Sequence, residues 1–132
     1  MGVIPTSVCA RTLQVRSSAW KIGGLGFACS AQYSDDGIAV FEPTHGSAPK
    51  YAGYEIPIVN PVAMIESACM MLDHLEEKEI SERIRKAVAI VIEEGIVRTY
   101  DMMKMPGRPE VIKNGAASTV QMTDAIISRL VK

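Results

Sequence analysis

The sequence is poor in the residues that build several kinds of functional site. Aromatic residues make up 5% of its 132 positions and no basic run is interleaved with them, which excludes a stacking platform for single-stranded nucleic acid. The formal net charge is -1, so nothing pulls the chain as a whole toward nucleic acid or anionic lipid, and any phosphate recognition has to be local. Two histidines and three scattered cysteines (Cys9, Cys29 and Cys69), with no CxxC, leave no zinc-ligand spacing and read as reduced thiols of a cytoplasmic protein. No apolar run approaches a membrane span, and the N-terminus lacks a basic stretch followed by an apolar one. Met1 to Thr6 fits the loose myristoylation pattern, but without a polybasic patch it reads as coincidence. A GxxxxGK[ST] phosphate loop is missing, and no Ser/His/Asp or Cys/His set can be assembled.

What is present is globular: 48% hydrophobic and 22% charged residues, enough chain for one domain. Met1–Lys21 has ambiguous periodicity, and Gly23-Gly24-Leu25-Gly26 is a break that reads as a tight turn. Asp35-Asp36-Gly37 is a turn signal leading into Ile38–Phe41, read as a buried strand ended by Pro43. Asn60-Pro61 starts a helix, since Asn caps free N–H groups and Pro suits the first helical position. Met64, Ile65, Ala68, Met71, Leu72 and Leu75 follow it at helical period and predict a buried stripe. A second helix is expected over 79–94, with Ile80, Ile84, Ala87, Val88 and Val91 on one side and Gly95 as its stop. Ile96–Thr99 reads as a short strand and Pro106–Pro109 as a loop. Ser118-Thr119-Val120-Gln121 is a capping box for a last helix that buries Met122, Ala125, Ile126 and Leu130.

Strands and helices in this alternation predict an α/β fold. Two strands are too few to cover helices of this length, and the apolar faces are wide. The uncovered surface calls for a homo-oligomer or a complementary upstream half of the domain.

The most informative stretch is His45-Gly46-Ser47-Ala48-Pro49-Lys50-Tyr51-Ala52-Gly53. It follows a strand, the position at which open α/β sheets bind ligands. It offers backbone N–H groups at Gly46 and Ser47, an imidazole, and a Lys–Tyr pair suited to a phosphate. Taken singly, His45 is a turn residue, and Lys50, Tyr51, Tyr100, Asp101 and Lys104 are surface residues. The residues alone lead as far as a phosphate-friendly loop on an α/β scaffold.

Five runs, in order and at similar spacing, resemble the isocitrate and isopropylmalate dehydrogenases: Gly23–Ala28, Phe41–Pro49, Asn60-Pro61, Met70–Leu75, and Gly115–Thr119 through Thr123–Ile126. The resemblance implies the C-terminal half of the large domain of that fold, few strands with flanking helices, over residues 22–132 after an atypical segment 1–21. These enzymes oxidise a 2-hydroxy acid with a nicotinamide cofactor and decarboxylate it with Mg2+ or Mn2+. The likeness identifies Thr44, His45, Gly46, Ser47, Ala48, Pro49, Lys50, Tyr51 and Asn60 as an adenosine-binding element. Lys50-Tyr51 with Tyr100 and Lys104 matches the members that use NADP, where cations and phenols hold the 2′-phosphate. An acid at position 50 accompanies NAD.

The likeness also implies what is missing. The positions of the metal-binding aspartates fall near Thr12 and Arg16, neither acidic, and the substrate arginines and proton-transfer residues would lie upstream of Met1. The chain therefore reads as an NADP-dependent isocitrate dehydrogenase-like C-terminal fragment that binds NADP(H), holds no metal and does not complete the reaction alone. The alternatives are a sister enzyme acting on isopropylmalate, homoisocitrate or tartrate, a non-catalytic oligomeric binding module, and a truncated product without a selected function.

Overall fold

Gly37, with φ of 81°, lets the chain reverse between two strands, where a side chain would be strained. Ser34 N–H donates to the Ile38 carbonyl at 2.8 Å and Gly37 N–H to the Ser34 carbonyl at 3.1 Å, closing the expected Asp35-Asp36-Gly37 turn. The computed structural model describes residues 25–130; the expected irregular start, the Gly23-Gly24 break and the positions Thr12 and Arg16 lie outside them.

The flanking strands are β1 (Cys29–Tyr33) and β2 (Ala39–Pro43), an antiparallel pair in which Ala31 faces Phe41. Three helices follow: α1 (Val62–His74), α2 (Lys78–Glu94) and α3 (Thr119–Leu130). The described part is thus a mixed α/β fold with few strands, as expected. Two details differ. The strand expected at Ile38–Phe41 runs Ala39–Pro43 and is only half-buried: Ala39, Phe41 and Pro43 turn inward while Ile38 and Val40 are exposed. Ile96–Thr99 forms no strand. Among the described residues no strand lies beside it, the Arg98 carbonyl accepts a single bond from Ala117 N–H at 2.7 Å, and the chain turns at once through Thr99–Met103.

Helix α1 begins as the sequence predicts. Val62 N–H donates to Asn60 Oδ1 at 3.0 Å, and the Pro61 carbonyl accepts from Met64 and Ile65. Its expected buried stripe is not the buried one. Val62, Ala63, Ser67 and Cys69 face inward, Ile65 and Leu72 are half-buried, and Met64, Ala68, Met71 and Leu75 are exposed. The helix is apolar on nearly every side, so periodicity could not choose the face. The small side chains do, because they let α2 and the hairpin approach. Ser67 Oγ donates to the Ala63 carbonyl at 2.8 Å, so its burial leaves no polar atom unpaired.

Val62, Ala87, Val88, Val91, Met122 and Ile126 make the main core where α1, α2 and α3 meet. On α2 the buried side is Ser81, Ala87, Val88 and Val91; Ile80, expected there, is exposed at the first turn. Arg85 ties α2 to α1 through Asp73 at 2.8 Å and Glu66 at 3.2 Å, and the Asp73 carboxyl is held below its usual range by that bond. Gly95, with φ of 62°, ends α2 as a left-handed cap.

The capping box of α3 is reciprocal: Ser118 N–H donates to Gln121 Oε1 at 2.8 Å, and Gln121 N–H to Ser118 Oγ at 3.1 Å. Ser118→Ala should lower the stability to chemical denaturation by roughly 1 kcal/mol, the usual cost of losing an N-cap, with an unchanged denaturant slope. An unaltered unfolding midpoint would show that the cap contributes nothing.

Candidate functional site

The loop after β2 is anchored at its first residue. Both Thr44 N–H and Thr44 Oγ1 donate to the Ala28 carbonyl, at 3.0 and 3.2 Å, which fastens the loop to the residue before β1. The Gly46 and Ser47 N–H groups take no part in the loop's backbone hydrogen bonds, and both residues are exposed. Ala48 has φ of 45°, in the left-handed region that an alanine adopts at a cost. That bend starts a short 3-10 turn, Pro49–Tyr51, closed by Tyr51 N–H to the Ala48 carbonyl at 3.0 Å. The turn sends Lys50 out to solvent and folds Tyr51 back.

Tyr51 folds onto a second, smaller core. Ile58, Val111 and Ala116 form its centre, with Tyr51, Tyr54, Tyr100, Met103, Met105 and Ile112 against it. Tyr100 arrives from the turn after α2, 49 residues away, and its ring centroid stands 6.1 Å from that of Tyr51. Gly107 makes room for this arrangement, since a Cβ there would run into the Tyr51 ring and hydroxyl. The rings are held by packing while the hydroxyls meet: Tyr100 O–H donates to the Tyr51 oxygen at 3.4 Å. Lys50 Nζ lies 4.7 Å from the centroid of the Tyr51 ring, within cation–π range.

These groups border one cleft of about 630 Å³. Of the residues singled out from sequence, Thr44, His45, Gly46, Ala48, Lys50, Tyr51, Asn60 and Tyr100 line it. Ser47 and Pro49 shape the loop without lining the cleft, and Lys104 sits exposed on the Tyr100 turn, outside the lining, with φ of 56°. His45 Nδ1 is engaged by the Gly46 carbonyl at 3.0 Å.

Three lining residues were not expected in the site: Gly26, Val59 and Asp101, the last read from sequence as a surface residue but half-buried here. Asp101 is the informative one. Its Oδ2 accepts from Asn60 Nδ2 at 3.0 Å and its Oδ1 from Thr99 Oγ1 at 2.5 Å. The Thr-x-Asp spacing was its only sequence signal, a hydroxyl two residues before a carboxylate at a turn.

The electrostatics of the phenol pair follow from its geometry. The bond from Tyr100, aided by Lys50, holds the Tyr51 phenol below the ordinary tyrosine range against the opposing effect of burial. Burial, and then the same bond, push Tyr100 upward. Tyr51 thus accepts and Tyr100 donates, leaving Tyr100 protonated. Among the described residues no group of three or more His, Cys, Asp or Glu is placed to hold a metal ion.

Residues 16–126 match the family model described as isocitrate/isopropylmalate dehydrogenase. The chain belongs to that family. It is 44% identical over 113 residues to the isocitrate/homoisocitrate dehydrogenase of Thermus thermophilus, which covers 86% of this chain and 29% of that protein. It is 43% identical over 111 residues to the same organism's isocitrate dehydrogenase [NADP], covering 84% and 20%. A crystal structure of isocitrate dehydrogenase from Methylococcus capsulatus superposes with a TM-score of 0.76 at 36% identity, over 92% of this chain and 32% of that one. The chain therefore spans less than a third of the length of these relatives. Family members named for NAD match as well, so membership alone does not choose the cofactor.

The phenol pair can be checked directly. In an alkaline titration followed by the phenolate absorption band, Tyr51 should ionise ahead of the ordinary tyrosine range and Tyr100 after it. Tyr100→Phe removes the donor that stabilises the Tyr51 phenolate, so the early transition should move to higher pH. An early transition that Tyr100→Phe leaves in place would show that the two hydroxyls are not coupled.

Proposed function

We propose that this chain supplies the adenosine-phosphate part of an NADP site in a protein of the isocitrate dehydrogenase type, whose whole reaction is the oxidative decarboxylation of isocitrate to 2-oxoglutarate. The observation that carries this reading is the convergence of Lys50, Tyr51 and Tyr100 on one cleft from two distant segments. A sugar 2′-phosphate carries a charge of about -1.5 to -2 at neutral pH. An ammonium and two phenols suit it, and each charge-assisted bond contributes roughly 1.5–3 kcal/mol. The cleft volume, about 630 Å³, is within the ordinary range for small-molecule sites.

The residues present fit the group. Lys50 meets the phosphate charge, Tyr51 offers its O–H to an oxygen, Tyr100 does so once its hydroxyl turns from Tyr51, and Gly46 leaves the loop backbone open to a close approach. Asn60 and His45, which line the same cleft, are assigned to the nucleoside. Lys104 lies on the same turn as Tyr100, outside the lining, and the reading assigns it a supporting charge. The dinucleotide, when bound, supplies the hydride acceptor. The work of this chain is to bind and orient its adenosine end, with substrate, Mg2+ or Mn2+ and proton transfer assigned to other parts of such an enzyme.

A second reading rests on a different observation. The Met64, Ala68, Met71 and Leu75 side of α1 is exposed, and Met64 and Leu75 are each 59% accessible. An assembly module would use such a face. Concentration-dependent sedimentation should then reveal association that Met64→Lys abolishes; a monomer at all concentrations removes this reading.

For the cofactor, NADPH should bind more tightly than NADH by the fluorescence of the reduced nicotinamide. Lys50→Asp should weaken NADPH by at least about 10-fold, since it removes a cation and adds a like charge beside the phosphate. Equal and negligible binding of both nucleotides by the wild-type chain would overturn the reading.

A further inference from the structure

We infer that Asp101 is the positioning residue of the cleft: it fixes the side-chain amide of Asn60 so that one asparagine both caps α1 and presents a defined donor to the bound nucleotide. The inference rests on the NADP reading for its ligand, but its geometry belongs to the protein alone.

Asn60 is 4% exposed, and its amide is engaged at both ends. Oδ1 accepts from Val62 N–H at 3.0 Å, the capping bond of α1. Nδ2 donates to Asp101 Oδ2 at 3.0 Å. These two partners settle which end of the amide is oxygen, because a flipped amide would set its NH2 group against Val62 N–H and its carbonyl against a carboxylate. One Nδ2 hydrogen is used by Asp101. The other is left for the cleft that Asn60 lines.

Asp101 is itself held in place. Its second oxygen accepts from Thr99 Oγ1 at 2.5 Å, and Thr99 is fully buried. Gly26 closes the other side: a Cβ there would overlap Asp101 Oδ2 and come within 3.1 Å of Asn60 Nδ2. A buried hydroxyl, a carboxylate and an amide thus form a chain from the core to the cleft, with room for no side chain alongside. Helix α1 is drawn into the same chain through its first N–H. Binding at Asn60 and the start of α1 are therefore set by one carboxylate 41 residues further along the sequence.

The test compares Asp101→Ala with Asp101→Asn in the full chain. Asn at 101 still offers a carbonyl to Asn60 Nδ2 and an amide to Thr99 Oγ1, so it preserves the alignment without the charge. The first readout needs no ligand: the Asn60 side-chain amide pair in a nitrogen–proton correlation spectrum. It should move markedly in Asp101→Ala and stay close to wild type in Asp101→Asn. The second readout is NADPH binding, weakened roughly 10-fold in Asp101→Ala and restored to within about 3-fold by Asp101→Asn. An Asn60 signal unmoved by Asp101→Ala overturns the inference, as does binding that Asp101→Asn fails to restore. If the wild type binds no NADPH while the amide signal responds as stated, the NADP reading fails and the positioning of Asn60 stands.

Discussion

The hydrogen bond from Asn60 to Asp101 is the joint on which the rest of the site depends. Asn60 precedes α1, and Asp101 stands on the turn after α2, so this bond ties the entry of one helix to the exit of the next, beside the core and the Arg85 ion pairs. Removing Asp101 would leave the buried Asn60 amide without that partner, which costs more than the bond itself contributes. The neighbours are consistent with that constraint. Gly26 has no side chain because none fits, and Thr99 is buried with its hydroxyl committed to the carboxylate.

From this joint the molecule divides its packing between two cores with different duties. The larger one, around Val62, Val88, Val91 and Met122, holds the helices together. The smaller one, around Ile58, Val111 and Ala116, holds three tyrosine rings and leaves two hydroxyls in contact at the cleft. An aromatic ring is well suited to this double task, since its body is fixed by apolar contact while its polar tip stays available. The cleft borders the smaller core through Tyr51 and Tyr100, so these two hydroxyls are placed by packing.

How much of this the sequence discloses depends on how local each cause is. The capping box at Ser118 and Gln121, the Asn60 cap, the Gly37 turn and the Gly95 stop are decided within a few residues, and each forms as read. Strand β1 went unseen because Cys-Ser-Ala-Gln-Tyr has no β-branched residue; it is a strand because the Gly37 turn returns β2 alongside it. The buried side of α1 was misread because a helix apolar all round carries no directional signal, and neighbours approaching Ala63, Ser67 and Cys69 make the choice. In the site, the loop residues were legible as a motif, whereas the role of Asp101 was not. Its partners are Thr99 beside it and Asn60 far away, and no pattern along the chain announces a bond across 41 positions.

On the proposed NADP reading, the same division bears on how cofactor choice could change without disturbing the fold. Lys50 sits exposed on a 3-10 turn, belongs to none of the ion pairs among the described residues, and touches the scaffold chiefly through the face of Tyr51. Replacing it alters the charge at the cleft and almost nothing in either core. Tyr51 and Tyr100 are the opposite case, because their rings are part of the smaller core and their hydroxyls are coupled. A change of cofactor that proceeds through position 50 is therefore cheap in stability, while one that proceeds through the phenols must also repack Ile58 and its neighbours. Charge at the rim and shape in the floor are thus separately adjustable, and only the second is bound to the folding of the chain.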